Sequence, residues 1–420
     1  MLNLRRRPDA YPVYLISSGV FAFCFALITT VNLVYQVETA GLSPLQLVLV
    51  GTMLEGTTFI FEVPTGIVAD IYSRRLSVIV GMALIGAGFL IEGFFPVVGA
   101  ILLAQLVWGI GYTFISGAQE AWVVDEVGEG QAGPVLMRGS QVAQLGGLLA
   151  AGPSVLLASL ALNVPIVAGG GGFLLLALFL ALRMPERRFQ PAPREGRGSY
   201  RQMLHTAGEG ARLVRGRPML LTLLVVIAVL GAASEGLDRL SAPHLIKDVG
   251  LPSIGEFDPV VWFGVLSVAT SLGGIWAVGW TRRHVDTRSD AVVTRWLFGL
   301  TSTRIVMTLA FALTGSFAVA FGAYFVNSVC RRTGYPVYYA WLNQRIDSRV
   351  RATVLSMNGQ ADALGQMAFG PAIGALGNVS VRAALAVSGL MLSPALALYA
   401  RAAGQGRLVE EAAKEVEIGV

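Results

Sequence analysis

Residues 139–182 read GSQVAQLGGLLAAGPSVLLASLALNVPIVAGGGGFLLLALFLAL, with no Asp, Glu, Lys or Arg among them. As one helix this stretch would extend about 66 Å at ~1.5 Å per residue. That is roughly twice the ~30 Å hydrocarbon core of a bilayer. It must therefore fold back once, and Leu162–Pro165 is the place where a turn fits. The reading is two membrane-crossing helices in succession.

The rest of the chain agrees with that solvent. Of its 420 residues, 54% are apolar and only 14% are charged, and the mean hydropathy is +0.65. A soluble domain carries roughly 25% charged residues, so there is too little charge here to cover two or three soluble domains. The composition excludes a soluble enzyme, a disordered chain and a secreted disulfide scaffold. Cys24 and Cys330 sit inside apolar runs and form no metal pair. The 50 glycines suit closely packed membrane helices. The first apolar run, Ala10 to Val37, exceeds the ~7–15 residues of a signal h-region, so no cleaved leader is expected.

Twelve spans can be marked. They are Ala10–Val37, Ser43–Asp70, Leu76–Phe95, Val98–Glu126, two within Gly139–Leu182, Pro218–Lys247, Pro259–Thr281, Val292–Thr314, Ser316–Asn343, Ala352–Leu376 and Ala383–Ala400. The expected fold class is an all-α membrane protein with twelve transmembrane helices in two pseudo-symmetric six-helix bundles. The expected domains are residues 1–183, an N-terminal bundle; 184–217, a cytoplasmic central loop; 218–402, a C-terminal bundle; and 403–420, a cytoplasmic tail.

The net charge of +5 does not point to nucleic acid, because the arginines cluster between the apolar runs. Arg5–Arg7, Arg74–Arg75, Arg138, the arginines of 183–217, Arg282–Arg288 and Arg345–Arg351 fall on one side of the alternating spans. Lys247 and Arg382 fall on the other. The positive-inside rule then puts both termini in the cytoplasm, with a bacterial inner membrane as the expected location. Tyr200–Arg215 has the periodicity of a basic helix lying on the membrane surface.

The halves echo each other. Ala121-Trp122 and Ala340-Trp341 are 219 residues apart, as are Val135-Leu136 and Val354-Leu355; Gly152-Pro153 and Gly370-Pro371 are 218 apart. A near-constant offset with six spans in each half is a parallel duplication, an arrangement suited to alternating access.

Between spans 2 and 3 the chain reads Gly66-Ile-Val-Ala-Asp70-Ile-Tyr-Ser-Arg74-Arg75. This resembles the signature loop of the major facilitator superfamily, Gly-x-x-x-Asp-x-x-x-Arg-Arg. Gly66 would admit a close helix approach, Asp70 can face a helix N-terminus, and Arg74 and Arg75 can pair with acids. The resemblance implies a conformational latch of Gly66, Asp70, Arg74, Arg75 and Asp125, with Asp70 docking where Ala352 opens span 11. The equivalent second-half loop, Gly279 to Asp286, is degenerate.

Charges at the middle of a span cost at least ~2.5–3.5 kcal/mol and are usually functional. The resemblance implies that spans 1, 4, 7 and 10 line a central path. That makes Asn32, Tyr35, Gln36, Glu120, Glu235, Arg239, Asn327, Arg331 and Tyr335 the substrate-path candidates. Glu235 and Arg239 are spaced for an i,i+4 ion pair. Adjacent Arg331 and Arg332 differ by about 100° on a helix, and Arg331 shares its face with Asn327 and Tyr335. Glu55, Glu120, Glu235 and Asp362 are the candidate proton carriers, Glu55 and Glu120 having no basic neighbour within a turn.

No Gly-x-x-x-x-Gly-Lys-Ser/Thr loop occurs, so an ion gradient is the expected energy source. Gly139, Gly146, Gly147 and Gly152-Pro153 resemble the span-5 glycine motif of drug–proton antiporters, one place out of register. The span-4 arginine of that branch is replaced by Gln105. The expectation is a monomeric secondary transporter, not an enzyme, with no cofactor and no metal, exporting a small organic compound in exchange for protons. The alternative is a proton-coupled symporter for an organic anion, suggested by Arg239, Arg304 and Arg331. The histidines His205, His244 and His284 fall in or near loops and are expected to be solvated.

Overall fold

The computed structural model describes residues 9–191, 218–253, 259–344, 346 and 351–403. The surface-helix expectation for Tyr200–Arg215, the central loop beyond residue 191, residues 404–420 of the tail, Arg5–Arg7 and His205 lie outside the described residues.

Twelve long helical segments occur among the described residues. They are α1 (Ala10–Glu38), α2 (Pro44–Ile71), α3 (Arg74–Phe94), α4 (Val98–Val127), α5 (Glu129–Ala158) and α6 (Val164–Arg183). Then follow α7 (Met219–Val249), α8 (Val261–His284), α9 (Asp290–Leu313), α10 (Phe317–Gln344), α11 (Arg351–Val379) and α12 (Val381–Ala403). Ten are long and apolar enough to cross a membrane; α10 and α11 are as long but richer in polar side chains. The fold is the expected twelve-helix membrane architecture.

Local chemistry sets the ends. Ser43 and Gln46 form a capping box at the start of α2, with Pro44 in the first turn. Ser73 and Ser380 accept from the backbone N–H groups of Leu76 and Ala383 to open α3 and α12. The uncharged run 139–182 turns between Ala158 and Val164, with Pro165 in the first turn of α6. Charge does not stop a helix: α5 begins at Glu129, ten residues before that run.

Three helices carry internal breaks or irregular turns that hydropathy does not reveal. α1 is interrupted at Thr30–Val31. α4 breaks at Ser116–Gly117, where Gly117 takes φ +72°, a conformation that a β-carbon disfavours. α7 ends in a π-helical turn, His244–Val249.

The chain divides into two compact units, one of Met1–Met203 with Ser253–Val268 and one of Leu204–Pro252 with Ala269–Val420. In the first, α1 lies against α5, and α3 against α4 and α6. A β-carbon on Gly146 would strike the Gly19 carbonyl, so the α1 and α5 backbones touch there. The buried rings of Phe89, Trp108 and Phe173 stack at its centre. In the second unit α7 lies against α11 and α9 against α10, around Trp341, Tyr338 and Tyr399. Leu145, Leu149 and Leu156 remain exposed along α5, with Leu160 in the turn after it, a surface that lipid can cover.

Candidate functional site

The motif loop is built into the first unit. Arg74 forms an ion pair and hydrogen bond with Asp125 on α4, donates to the Ala121 carbonyl at 3.0 Å, and lies 3.7 Å from Asp70. Arg75 donates from its side chain to the Ala181 carbonyl of α6 at 2.6 Å. Glu186, which the sequence reading passed over, accepts from Ser73 Oγ at 2.7 Å and from the Arg75 backbone N–H at 2.9 Å, tying the segment after α6 to the start of α3. Trp122 donates to the Pro185 carbonyl at 2.6 Å. One expectation is corrected: a β-carbon on Gly66 would meet nothing within 4 Å. The close α2 contact is at Gly109 of α4, against Leu54 and Thr57. The side chain of Ala352, the expected dock of Asp70, lies outside the described residues.

A cavity of about 520 Å³ opens between α1, α4 and α5. Tyr14, Phe21 and Tyr112 give it aromatic walls, and Ser18, Ser140 and Glu120 give it polar groups. Glu120 stands exposed in the first turn of the α4 segment after the Gly117 break. Glu62 on α2 accepts from Ser116 at that break, at 3.2 Å.

Tyr35 and Gln36, expected on the path, turn inward instead. Both are buried, because the interruption at Thr30–Val31 makes Asn32–Glu38 a short helix of its own. Their partner is Glu92 on α3, 0% exposed and missed in the sequence. Its Oε1 accepts from Gln36 at 2.7 Å and its Oε2 from Gln105 at 3.2 Å, while Tyr35 donates to its backbone carbonyl at 2.6 Å. Gln105 in turn accepts from Trp108 at 2.9 Å. Asn32 is half-buried.

In the second unit the embedded charges form a network. Glu235, 1% exposed, lies 3.7 Å from Arg239 on the same helix. Arg331 bonds Asp238 across α7 and α10 at 2.5 Å, and its guanidinium lies over the Tyr335 ring, 5.9 Å from the centroid. Arg332 lays its stem along Gly274 of α8. Asn327 is buried and donates to the Arg304 carbonyl at 3.1 Å and to Thr308 Oγ1 at 2.6 Å, so it pins α10 to α9. Asp362 sits at the α7–α11 crossing, 2.7 Å from where Gly231 would carry a β-carbon, and accepts from Gln366 at 3.2 Å. His244 corrects a second expectation: it is 0% exposed, with Nδ1 2.9 Å from Asp248 and Nε2 2.8 Å from the Phe311 carbonyl. The π-helical turn at the end of α7 folds it inward.

The family model described as Major Facilitator Superfamily matches residues 13–295. A curated relative, an uncharacterized MFS-type transporter, YxaM, of Bacillus subtilis (strain 168), is 33% identical over 101 residues. That match spans 23% of this chain and 25% of the relative's length. Among solved structures, a bacterial homologue of the human lysosomal transporter Spinster, inward-facing and unoccupied, aligns with TM-score 0.72 at 18% identity, over 94% of this chain and 97% of that one. The nucleoside transporter NupG aligns with TM-score 0.73 at 12% identity, over 94% and 99%. A peptide transporter, POT, in complex with alafosfalin aligns with TM-score 0.74 at 15% identity, over 96% of each chain. On the family match, and with the fold and motif loop described above, the chain belongs to the major facilitator superfamily and is an integral membrane transporter of small molecules.

Proposed function

We propose that this transporter exports a small organic compound in exchange for protons, by alternating access of its two halves. The observation that carries the reading is the 520 Å³ cavity of the first unit, with Glu120 among aromatic walls. Its size falls within the ~300–1,000 Å³ of small-molecule sites. A carboxyl group lining it shares one space with the solute, so proton and solute can compete for it. Glu120 is thus the first candidate proton carrier, followed by Glu55, Glu235 and Asp362. The contact of Gly146 with Gly19 supports the export reading, because the span-5 glycines that resemble those of drug–proton antiporters hold α5 against α1. The relatives named for nucleosides and peptides carry solutes of a size such a cavity admits. Residues 1–183 and 218–402 serve as the two moving halves. The chain acts as a monomer in a bacterial inner membrane with both termini in the cytoplasm.

The test is a resistance screen in a host stripped of its own exporters, followed by transport in inside-out vesicles with an acid lumen. Protection by expression, with accumulation that collapses when the proton gradient is dissipated, is the expected result. Glu120→Gln should abolish gradient-driven accumulation while leaving gradient-free exchange in place. That pattern in Glu235→Gln alone would move the carrier to the second half. A second reading, uptake of an organic anion with protons, has its own observation in buried Arg304 and half-buried Arg331. It predicts accumulation of an anion in right-side-out vesicles under an inward proton gradient.

A further inference from the structure

Arg304 lies about four turns into α9 and is only 7% exposed. Buried guanidinium groups normally face a carboxylate, because taking a charge out of water is expensive unless it is paired. Asp238, in the same network, is already bonded to Arg331. The buried Nε of Arg304 meets no hydrogen-bond acceptor among the described residues. Asn327 bonds the backbone of Arg304 and not its side chain.

Beside Arg304 is a cavity of about 20 Å³, enclosed by α7, α9, α10 and α12. Two arginines line it, Arg304 and Arg331, together with Thr301, Tyr335, Tyr338 and Tyr399, and no acidic residue is among its lining groups. The remaining walls are leucines, Cys330 and Gly334. Tyr338 is committed elsewhere, to the Leu223 carbonyl and Asn358. Arg331 and Tyr335 are half-buried and form the rim, while Arg304, Tyr338 and Tyr399 are deep. The pocket thus presents two positive groups and hydroxyl groups to a space that holds about one water-sized atom.

We propose that this cavity is a binding site for a small monovalent anion. The ligand carries one negative charge on an atom close to water in size, as a free halide does, or one oxygen of a carboxylate whose remainder passes out between Arg331 and Tyr335. Its charge compensates the Arg304 guanidinium, Arg331 being already paired with Asp238, and gives Arg304 Nε its acceptor. The site lies wholly in the second unit, apart from the Glu120 cavity, and does not rest on the export reading.

The test reads binding rather than transport. The purified full chain is melted in sodium bromide or sodium formate against sodium gluconate at equal ionic strength. Crystals grown in bromide are measured at the bromine absorption edge. We expect a saturable rise in Tm with bromide, absent in Arg304→Gln and retained in part in Arg304→Lys, and an anomalous peak beside the Arg304 guanidinium. Formate raising Tm in competition with bromide identifies the carboxylate form of the site. Bromide without formate identifies the inorganic form. If the wild type shows neither a saturable shift nor an anomalous peak at Arg304, or if Arg304→Gln folds and shifts as the wild type does, the proposal is overturned. Should Arg304→Gln fail to fold, the anomalous map of the wild type decides alone.

Discussion

Removing the carboxyl of Glu92 strands the side-chain amides of Gln36 and Gln105 in the core of the first unit. A buried donor left without its acceptor costs about 1–3 kcal/mol. Glu92→Leu should therefore lower the Tm of the purified chain clearly, and Glu92→Gln, which still offers a carbonyl oxygen, should lower it less. Equal losses would mean that volume and not hydrogen bonding sets the role of this site. On α10 the two adjacent arginines should separate. Arg331 holds Asp238 and stacks on Tyr335, whereas Arg332 lies on α8. Arg331→Ala should weaken substrate affinity several-fold more than Arg332→Ala in a binding or counterflow measurement. In a double-mutant cycle Arg331→Ala and Asp238→Asn should be non-additive, since contacting pairs couple by roughly 0.5–3 kcal/mol.

Helices pack here through their glycines. At Gly146 any β-carbon would collide with the Gly19 carbonyl, while at Gly152, six residues on, it would meet nothing within 4 Å. Gly146→Leu should cost about 1–3 kcal/mol by overpacking and cut folded yield in detergent, and Gly152→Ala on the same helix should be neutral. The spans themselves were legible in the sequence because a membrane helix must satisfy its backbone internally and keep charge out of lipid. The apolar run opening at Ser43 and the turn at Leu162–Pro165 were therefore marked in the sequence, whereas the caps at Ser73 and Ser380 lie three residues before the ends read there. The side-chain partnerships were not legible, because they join residues far apart in the chain. Glu186 caps α3 from 113 positions away, and Arg331 finds Asp238 from 93. Glu92 escaped notice as a lone acid near the end of an apolar run. The motif loop was the exception: Arg74 and Asp125 could be paired in advance from the resemblance.

For the whole molecule, the motif cluster predicts a kinetic and not a structural phenotype. Asp125 is partly exposed and Asp70 more so, and each is one member of a larger set of contacts. Ion pairs of that kind are worth little to stability, typically about 0–1 kcal/mol. Asp125→Asn should slow transport in proteoliposomes several-fold with Tm almost unchanged, and Asp70→Asn should do the same. Wild-type rates in both variants would remove the cluster from the transport cycle. A large drop in Tm would make it a structural brace instead.

The break in α4 has a mechanical consequence. Beyond Gly117 the segment Ala118–Val127 is a stiff rod about 15 Å long at ~1.5 Å per residue. It is tied at Asp125 to Arg74 and at Trp122 to Pro185, and its near end meets the glycine of the break. Such a piece is built as a crank would be. A rotation of this piece about Gly117 would carry the carboxyl of Glu120, three residues from the pivot, along the cavity wall.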